Sequence, residues 1–359
     1  MKTQFGPSLY FASDKVIFDA MNHSQVTASV IKELLAERGI IVSNKTTKYE
    51  LAQYFSRLTA DYFDHQNIAT KLGKAARRER ITYAEMSDTV SFDHLHDAIK
   101  TVKNQLEEKR NLVELEVKDG RILATIQYDF IDYTEVEFRQ VQVRDGIIEF
   151  LPGADGRYVV RSTQNSEIDI AVDQIFTALN AAREKPVKQD RISLEGIADP
   201  ALRCKFFDDL IKGLEGHDFV TVTEAFCYKP KLASIVNEDG GDGVAKGVED
   251  EPNVVRVTLK GTGVNKSFVI ADLYAKGYYI VKTVWRVRPN KSLDSDTFEL
   301  EAQFAEPVTC TSFSYQARSA IIFEDGQLTE KRRLPKSEEQ DCLFRLIEAA
   351  AKKAYVGLI

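Results

Sequence analysis

Lys45, Thr47 and Lys48 stand together in "SNKTTKYEL", and a second basic run, "KLGKAARRER", sets Lys71, Lys74, Arg77, Arg78 and Arg80 against Glu79 alone. Basic heads beside a helix start can hold a phosphate, because the first amides of a helix have no internal partner and its dipole is positive there. Thr47 and Glu50 have the spacing of a capping box, which predicts a helix beginning at Lys48. In the second run, helical spacing puts Lys71, Lys74 and Arg78 on one face, with Arg77 beside it. A solvated helix surface would explain that run alone; its nearness to the first cluster favours shared phosphate contact.

Other residues that could do chemistry are less well placed. Glu116 and Lys118 in "ELEVK" are the Glu-x-Lys half of a metal-dependent nuclease site, but no acidic residue on a preceding strand completes it. Alternating charge on a solvated strand face explains the pair more simply. "KGTGVNKS" has Lys260 and Asn265 where a phosphate loop needs glycines, and it reads as a turn. His94 and His96 in "FDHLHD" diverge by about 200° on a helix, so they share no metal; Asp93 reads as the cap of that helix. The acidic, glycine-rich stretch at 237–253 reads as a mobile loop, and its carboxylates miss the alternation that calcium requires. Cys204, Cys227, Cys310 and Cys342 show no CxxC spacing and read as buried thiols. No catalytic residue, metal ligand or cofactor site is assigned.

The elements that must position these residues follow from periodicity. At 359 residues, with 43% hydrophobic and 29% charged, the chain is long enough for two or three globular domains. Residues 14–110 read helical; Leu95, Ile99, Val102 and Leu106 form one apolar stripe. From Leu112 to Val160 the period becomes two: Ile122, Ala124, Ile126, Tyr128 and Phe130 share a face, continued by Val136 and Phe138, with a bulge or bend after Gln140. Asp119-Gly120, Asp145-Gly146 and Asp155-Gly156 are the turns, and a helix over 168–182 closes the unit. After a linker at Pro186 come a helix around Leu202–Leu214 and strands at 219–228, 254–260, 267–274, 278–288, 297–304 and 309–323, then a helix at 337–354. The two β-rich stretches echo each other: Gln127-Tyr128 and Gln303-Phe304, Ile147-Ile148 and Ile321-Ile322, Ser166-Glu167 and Ser337-Glu338. The expected fold class is therefore α+β. A basic helical module at 1–90 precedes two related antiparallel sheet-plus-helix domains at 91–185 and 191–359.

Charge is uneven along this plan. Residues 1–80 carry twelve Lys or Arg against eight Asp or Glu, a net of +4, so the remainder holds −11 of the total −7. An acidic whole excludes a protein that coats nucleic acid or anionic membrane over its entire surface. No apolar run is long enough to span a bilayer, and "MKTQFGPSLYFASDK" has no signal-peptide core, so a cytoplasmic setting is expected.

The stretch 26–58 resembles the SAP-like, helix-extended-loop-helix family of DNA-binding motifs. The residues that carry the resemblance are Leu34-Leu35, Gly39-Ile40, Lys48, Leu51 and Arg57-Leu58. Asn44 stands where the family usually has glycine, and the loop is about two residues longer. The resemblance implies contact with duplex DNA through its phosphates, with little reading of sequence. It leads to the expectation of a non-catalytic DNA-binding accessory or sensor subunit, with a protein partner or homo-oligomer and no membrane. By analogy the setting is a bacterial genome-maintenance or anti-phage complex. Two rivals remain, a nuclease using Glu116 and Lys118 and a pure protein-interaction scaffold. On this reading Lys45→Glu with Lys48→Glu weakens DNA affinity by about 1 kcal/mol or more per lost phosphate contact, measured by filter binding on unrelated sequences.

Overall fold

A computed structural model describes residues 12–72, 79–153, 155–181, 183–230, 254–290 and 294–359. The chain begins with α1 (Asp14–Asn22), α2 (Ala28–Glu37), α3 (Lys48–Ser56), α4 (Tyr62–Leu72), β1 (Ile81–Met86) and α5 (Phe92–Glu108). There follow β2 (Leu112–Lys118), β3 (Arg121–Ile131), the single turn α6 (Glu137–Gln140), β4 (Val141–Pro152), β5 (Tyr158–Thr163), α7 (Ser166–Asn180) and β6 (Gln189–Arg191). The last part contains α8 (Pro200–Lys212), β7 (His217–Tyr228), β8 (Arg256–Lys260), α9 (Phe268–Ala275), β9 (Tyr279–Pro289), β10 (Thr297–Glu306), β11 (Thr311–Glu324), β12 (Gln327–Arg333) and α10 (Ser337–Val356). The fold is mixed α+β, with an antiparallel sheet of 12 strands among the described residues. Its order is β2-β3-β4-β5-β1-β11-β10-β9-β7-β8, with β12 on β11 and β6 on β1.

The chain forms two compact units. One comprises the described parts of 1–78, 100–116 and 124–147, the other those of 79–99, 117–123 and 148–359. The first has a helical core in which Ile17, Met21, Ile31, Leu35, Leu51, Phe55, Ile68 and Phe138 are buried together. Helix α2 ends in a Schellman motif: the Gly39 amide donates to Ala36 O at 2.9 Å and the Ile40 amide to Leu35 O at 2.9 Å. Gly39 has φ +74°, which a glycine adopts without a Cβ penalty. At Thr47 the expected capping box is formed. The Thr47 amide donates to Glu50 Oε2 at 2.9 Å, and the Glu50 amide donates to Thr47 Oγ1 at 3.3 Å.

In the second unit α8 and α10 cover one sheet face. Here Phe206, Phe207, Phe304, Phe313, Tyr315 and Phe344 form a chain of rings with neighbouring centroids 5.2–6.1 Å apart. Helix α7 packs on β5 and buries Ile168, Val172, Ile175, Phe176 and Leu179, the stripe that the sequence predicts. The paired landmarks also land on matching elements. Gln127 and Gln303 lie in β3 and β10, Ile147-Ile148 and Ile321-Ile322 in β4 and β11, and Ser166 and Ser337 open α7 and α10. Both sets belong to one strand order, with β1 between β5 and β11.

Several expectations are corrected. The strand expected at 267–274 is instead helix α9 (Phe268–Ala275), because Ser267 caps it by accepting from the Val269 amide at 3.2 Å. Asp145-Gly146 lies inside β4, which runs unbroken from 141 to 152, whereas Asp119 and Gly120, both at positive φ, do make a two-residue turn. Val136 and Phe138 are not strand residues; Phe138 sits in α6 and joins the helical core. Residues 81–86, read as helical, are strand β1, whose partners β5, β11 and β6 are far away in sequence. Ser91, not Asp93, caps α5, accepting from the His94 amide at 3.4 Å. Three cysteines are buried, and burial pushes the Cys204 thiol up to about 11, but Cys342 is exposed. The acidic stretch at 237–253 lies outside the described residues. Phe206→Ala would empty the centre of the ring chain; about 3–5 kcal/mol of stability should be lost, read by urea unfolding.

Candidate nucleic-acid interface

Helices α2 and α3 form with the link between them, and among the described residues the basic heads have separate partners. Lys45 is exposed on the link between α2 and α3. The Lys48 ammonium donates to Asn22 O at 3.0 Å and His23 O at 2.7 Å, closing the negative C-terminal end of α1. Thr47 serves the capping box, and its partner Glu50 places a carboxylate where a phosphate would sit. Burial is negligible for that Glu50 carboxyl, and hydrogen bonds from Thr47 hold its pKa below the usual range. Lys71 pairs with Glu33 at 2.9 Å. Lys74, Arg77 and Arg78 lie outside the described residues. Among the described residues of the predicted cluster, Lys45 is exposed, and the Lys48 and Lys71 ammonium groups are held by carbonyls and a carboxylate. Leu51 and Phe55 of α3 are buried in the helical core, while Tyr54 is 46% exposed.

A larger cationic surface lies in the second unit, on the sheet face opposite the ring chain. In β10 the residues alternate: Phe298, Leu300, Ala302 and Phe304 face the helices, so Glu299, Glu301 and Gln303 face the other way. Glu301 accepts from Arg80 at 2.6 Å and lies 3.0 Å from Lys282 and 3.7 Å from Arg318. Glu299 holds Arg286 at 3.2 Å and Arg332 at 2.8 Å, one on each oxygen. Glu224 of β7 meets Lys260 at 3.3 Å and Arg318 at 3.7 Å. Arg318 reaches this face through a β-bulge: Glu299 pairs with Ser319 and Leu300 with Ala317, which leaves Arg318 as the extra residue.

Exposure separates the two charges. The carboxylate side chains of Glu301 and Glu299 are 2% and 6% exposed, whereas Arg318, Arg332 and Lys260 are 35%, 49% and 65% exposed. Glu299 and Glu301 lie underneath and most of the cations meet solvent, with six cations around three carboxylates; Glu224 and Lys282 are equally exposed at 19%. Burial alone would raise the Glu301 pKa, but Arg80 and Lys282 outweigh it and hold the carboxyl below its usual range. Glu301 therefore stays ionised and fixes the heads above it.

The ring-chain face of the same unit has a second buried ion pair. Arg161, 1% exposed, donates from Nε and Nη2 to the two oxygens of Glu348 at 2.5 and 2.7 Å, and from Nη1 to Glu149 at 3.2 Å. Tyr315 donates its hydroxyl to the same Glu348, and burial beside that carboxylate pushes its phenol well above the ordinary value. This network ties β5 and β11 to α10 and is closed to solvent, so it reads as architecture.

The nuclease alternative finds little geometry. Glu116 and Lys118 are both exposed in β2, and among the described residues no cluster of three His, Cys, Asp or Glu could hold a metal ion. No helix among the described residues is long and apolar enough to cross a membrane. The alternation in "FELEAQF" was the available signal for the charged face, but Arg80 comes to it from the segment before β1, and Arg318 and Arg332 come from other strands with no local mark. Because the folded Glu301 pKa is depressed, its contribution to stability is full above the unfolded value near 4.5 and is lost as pH falls through the folded value. Glu301→Gln should accordingly flatten the acid side of the stability curve below pH 4.5, followed by urea unfolding from pH 6 to 3; an unchanged slope would show that Glu301 is not paired as described. No protein-family model and no curated protein matches this chain.

Proposed function

We propose that this protein is a non-catalytic DNA-binding accessory or sensor subunit that holds the phosphate backbone with little preference for sequence. The observation that supports the reading is the layered charge over β7–β12. Cations there are already held in place by buried carboxylates, so they lose less side-chain freedom on meeting phosphate than free surface arginines would. Adjacent strands lie about 4.8 Å apart, so the basic heads of β8, β9, β11 and β12 span on the order of 20 Å, enough for several phosphates. Guanidinium heads also suit phosphate through their forked donors. Lys45 on the helix-extended-helix element supplies a further, separate contact. The total charge of −7 restricts binding to such patches and sets weak, salt-sensitive affinity. We assign a cytoplasmic setting, and by analogy alone a place in a bacterial genome-maintenance or anti-phage complex.

Filter binding of the full chain to a random-sequence duplex tests this. Between about 50 and 200 mM salt, the logarithm of affinity should fall linearly with the logarithm of salt, with a slope near −0.9 per phosphate contact. Lys282→Gln with Arg318→Gln, which leaves Arg80 on Glu301, should lower the magnitude of that slope by about 2, and Lys45→Glu by about 1. Absence of retention at the lowest salt would leave a protein-interaction scaffold as the surviving reading. A slope altered only by Lys45→Glu would move the site to the helices.

A further inference from the structure

We infer that the pocket between β9 and β12 binds a nucleotide unit, the phosphoryl group against Arg286 and Arg332 and the ring against Val220 and Leu328. This rests on the proposed nucleic-acid reading for its biological ligand, though the pocket's own chemistry stands apart from it. The cavity, about 370 Å³, opens on the charged sheet face. That volume lies within the range of small-molecule sites.

Three observations carry the assignment. First, the two guanidiniums converge. Glu299 occupies Nε of Arg286 and Nη1 of Arg332, which leaves the other donors of both forks for a tetrahedral anion. Second, the pocket is amphipathic. Val220 and Leu328, each 44% exposed, stand at its side, and Ile321 is buried in its wall, so an organic group has apolar surface to cover. Third, Thr297, 1% exposed, lines the cavity and has a buried hydroxyl with no hydrogen-bond partner. A buried polar atom without a partner costs stability, and a ligand acceptor would satisfy it. Cross-strand register explains why these groups meet: Thr297 pairs with Ile321, Ile321 with Arg332, and Glu299 with Arg286. The exposed Glu330 on the rim opposes an anion and sets the affinity low.

The test is isothermal titration of the full chain with adenosine 5′-monophosphate, adenosine and inorganic phosphate, beside filter binding of a single-stranded and a duplex oligonucleotide. The monophosphate should bind, with adenosine and phosphate each at least tenfold weaker. Arg332→Gln should abolish monophosphate binding, Thr297→Val should weaken it severalfold, and Glu330→Gln should strengthen it. Thermal melts should show Thr297→Val and Glu330→Gln folded, which keeps the outcome readable if Arg332→Gln is unstable. Oligonucleotide binding without any monophosphate binding would overturn the pocket and leave the proposed function standing. Monophosphate binding without oligonucleotide binding would do the reverse. Equal affinity for phosphate alone would remove the nucleotide assignment.

Discussion

A carboxylate taken out of water must be matched by cations or give up its charge, and this sheet depends on that constraint on both faces. Glu301 and Glu299 are nearly sealed under arginines and lysines on one side, while Glu348 and Glu149 hold Arg161 on the other. The difference is the third layer. Over Arg161 lies helix α10, so its charge is closed off and tied to the core. Over Glu301 and Glu299 the cations themselves meet solvent, so the same physics leaves an ordered positive surface. Removing one partner from the sealed network would strand a buried charge, whereas removing one cation from the open layer leaves another on the same carboxylate.

That redundancy explains why the open layer suits recognition. Glu301 is shared by Arg80, Lys282 and Arg318, and Glu299 by Arg286 and Arg332, so an anion can draw one cation outward without unpairing the floor. The β-bulge that adds Arg318 increases the cationic excess at one point without breaking the β10–β11 ladder on either side. Beneath it, the ring chain of Phe206, Phe304, Phe313 and Tyr315 keeps the strands in register, so the positions of the charges follow from apolar packing on the far face.

Local signals were legible and long-range ones were not. The stripe Leu95, Ile99, Val102 and Leu106 and the capping box at Thr47 and Glu50 depend on residues a turn apart, and both formed. The closing helices α7 and α10 were equally readable. "FVIADLYA" was ambiguous between strand and helix because a short apolar run has no clear period, and Ser267 decided it. Strand β12, "QLTEKRR", is polar and mostly exposed, so only its pairing with β11 makes it a strand. The site shows the same divide. Sequence placed Lys48 beside a helix start, but the carbonyls it serves are those of Asn22 and His23 at the end of α1, some 25 residues earlier. The cations that do form a surface come from four strands and the segment before β1, a grouping that only the sheet order creates.

Photochemical cross-linking of the full chain to an oligonucleotide, with the attached peptides identified by mass spectrometry, addresses the layered-charge surface most directly. Attachment should concentrate in peptides from residues 279–333, which carry β9 to β12. Cross-links confined to the covered face of α8 and α10, or to none of those strands, would contradict it.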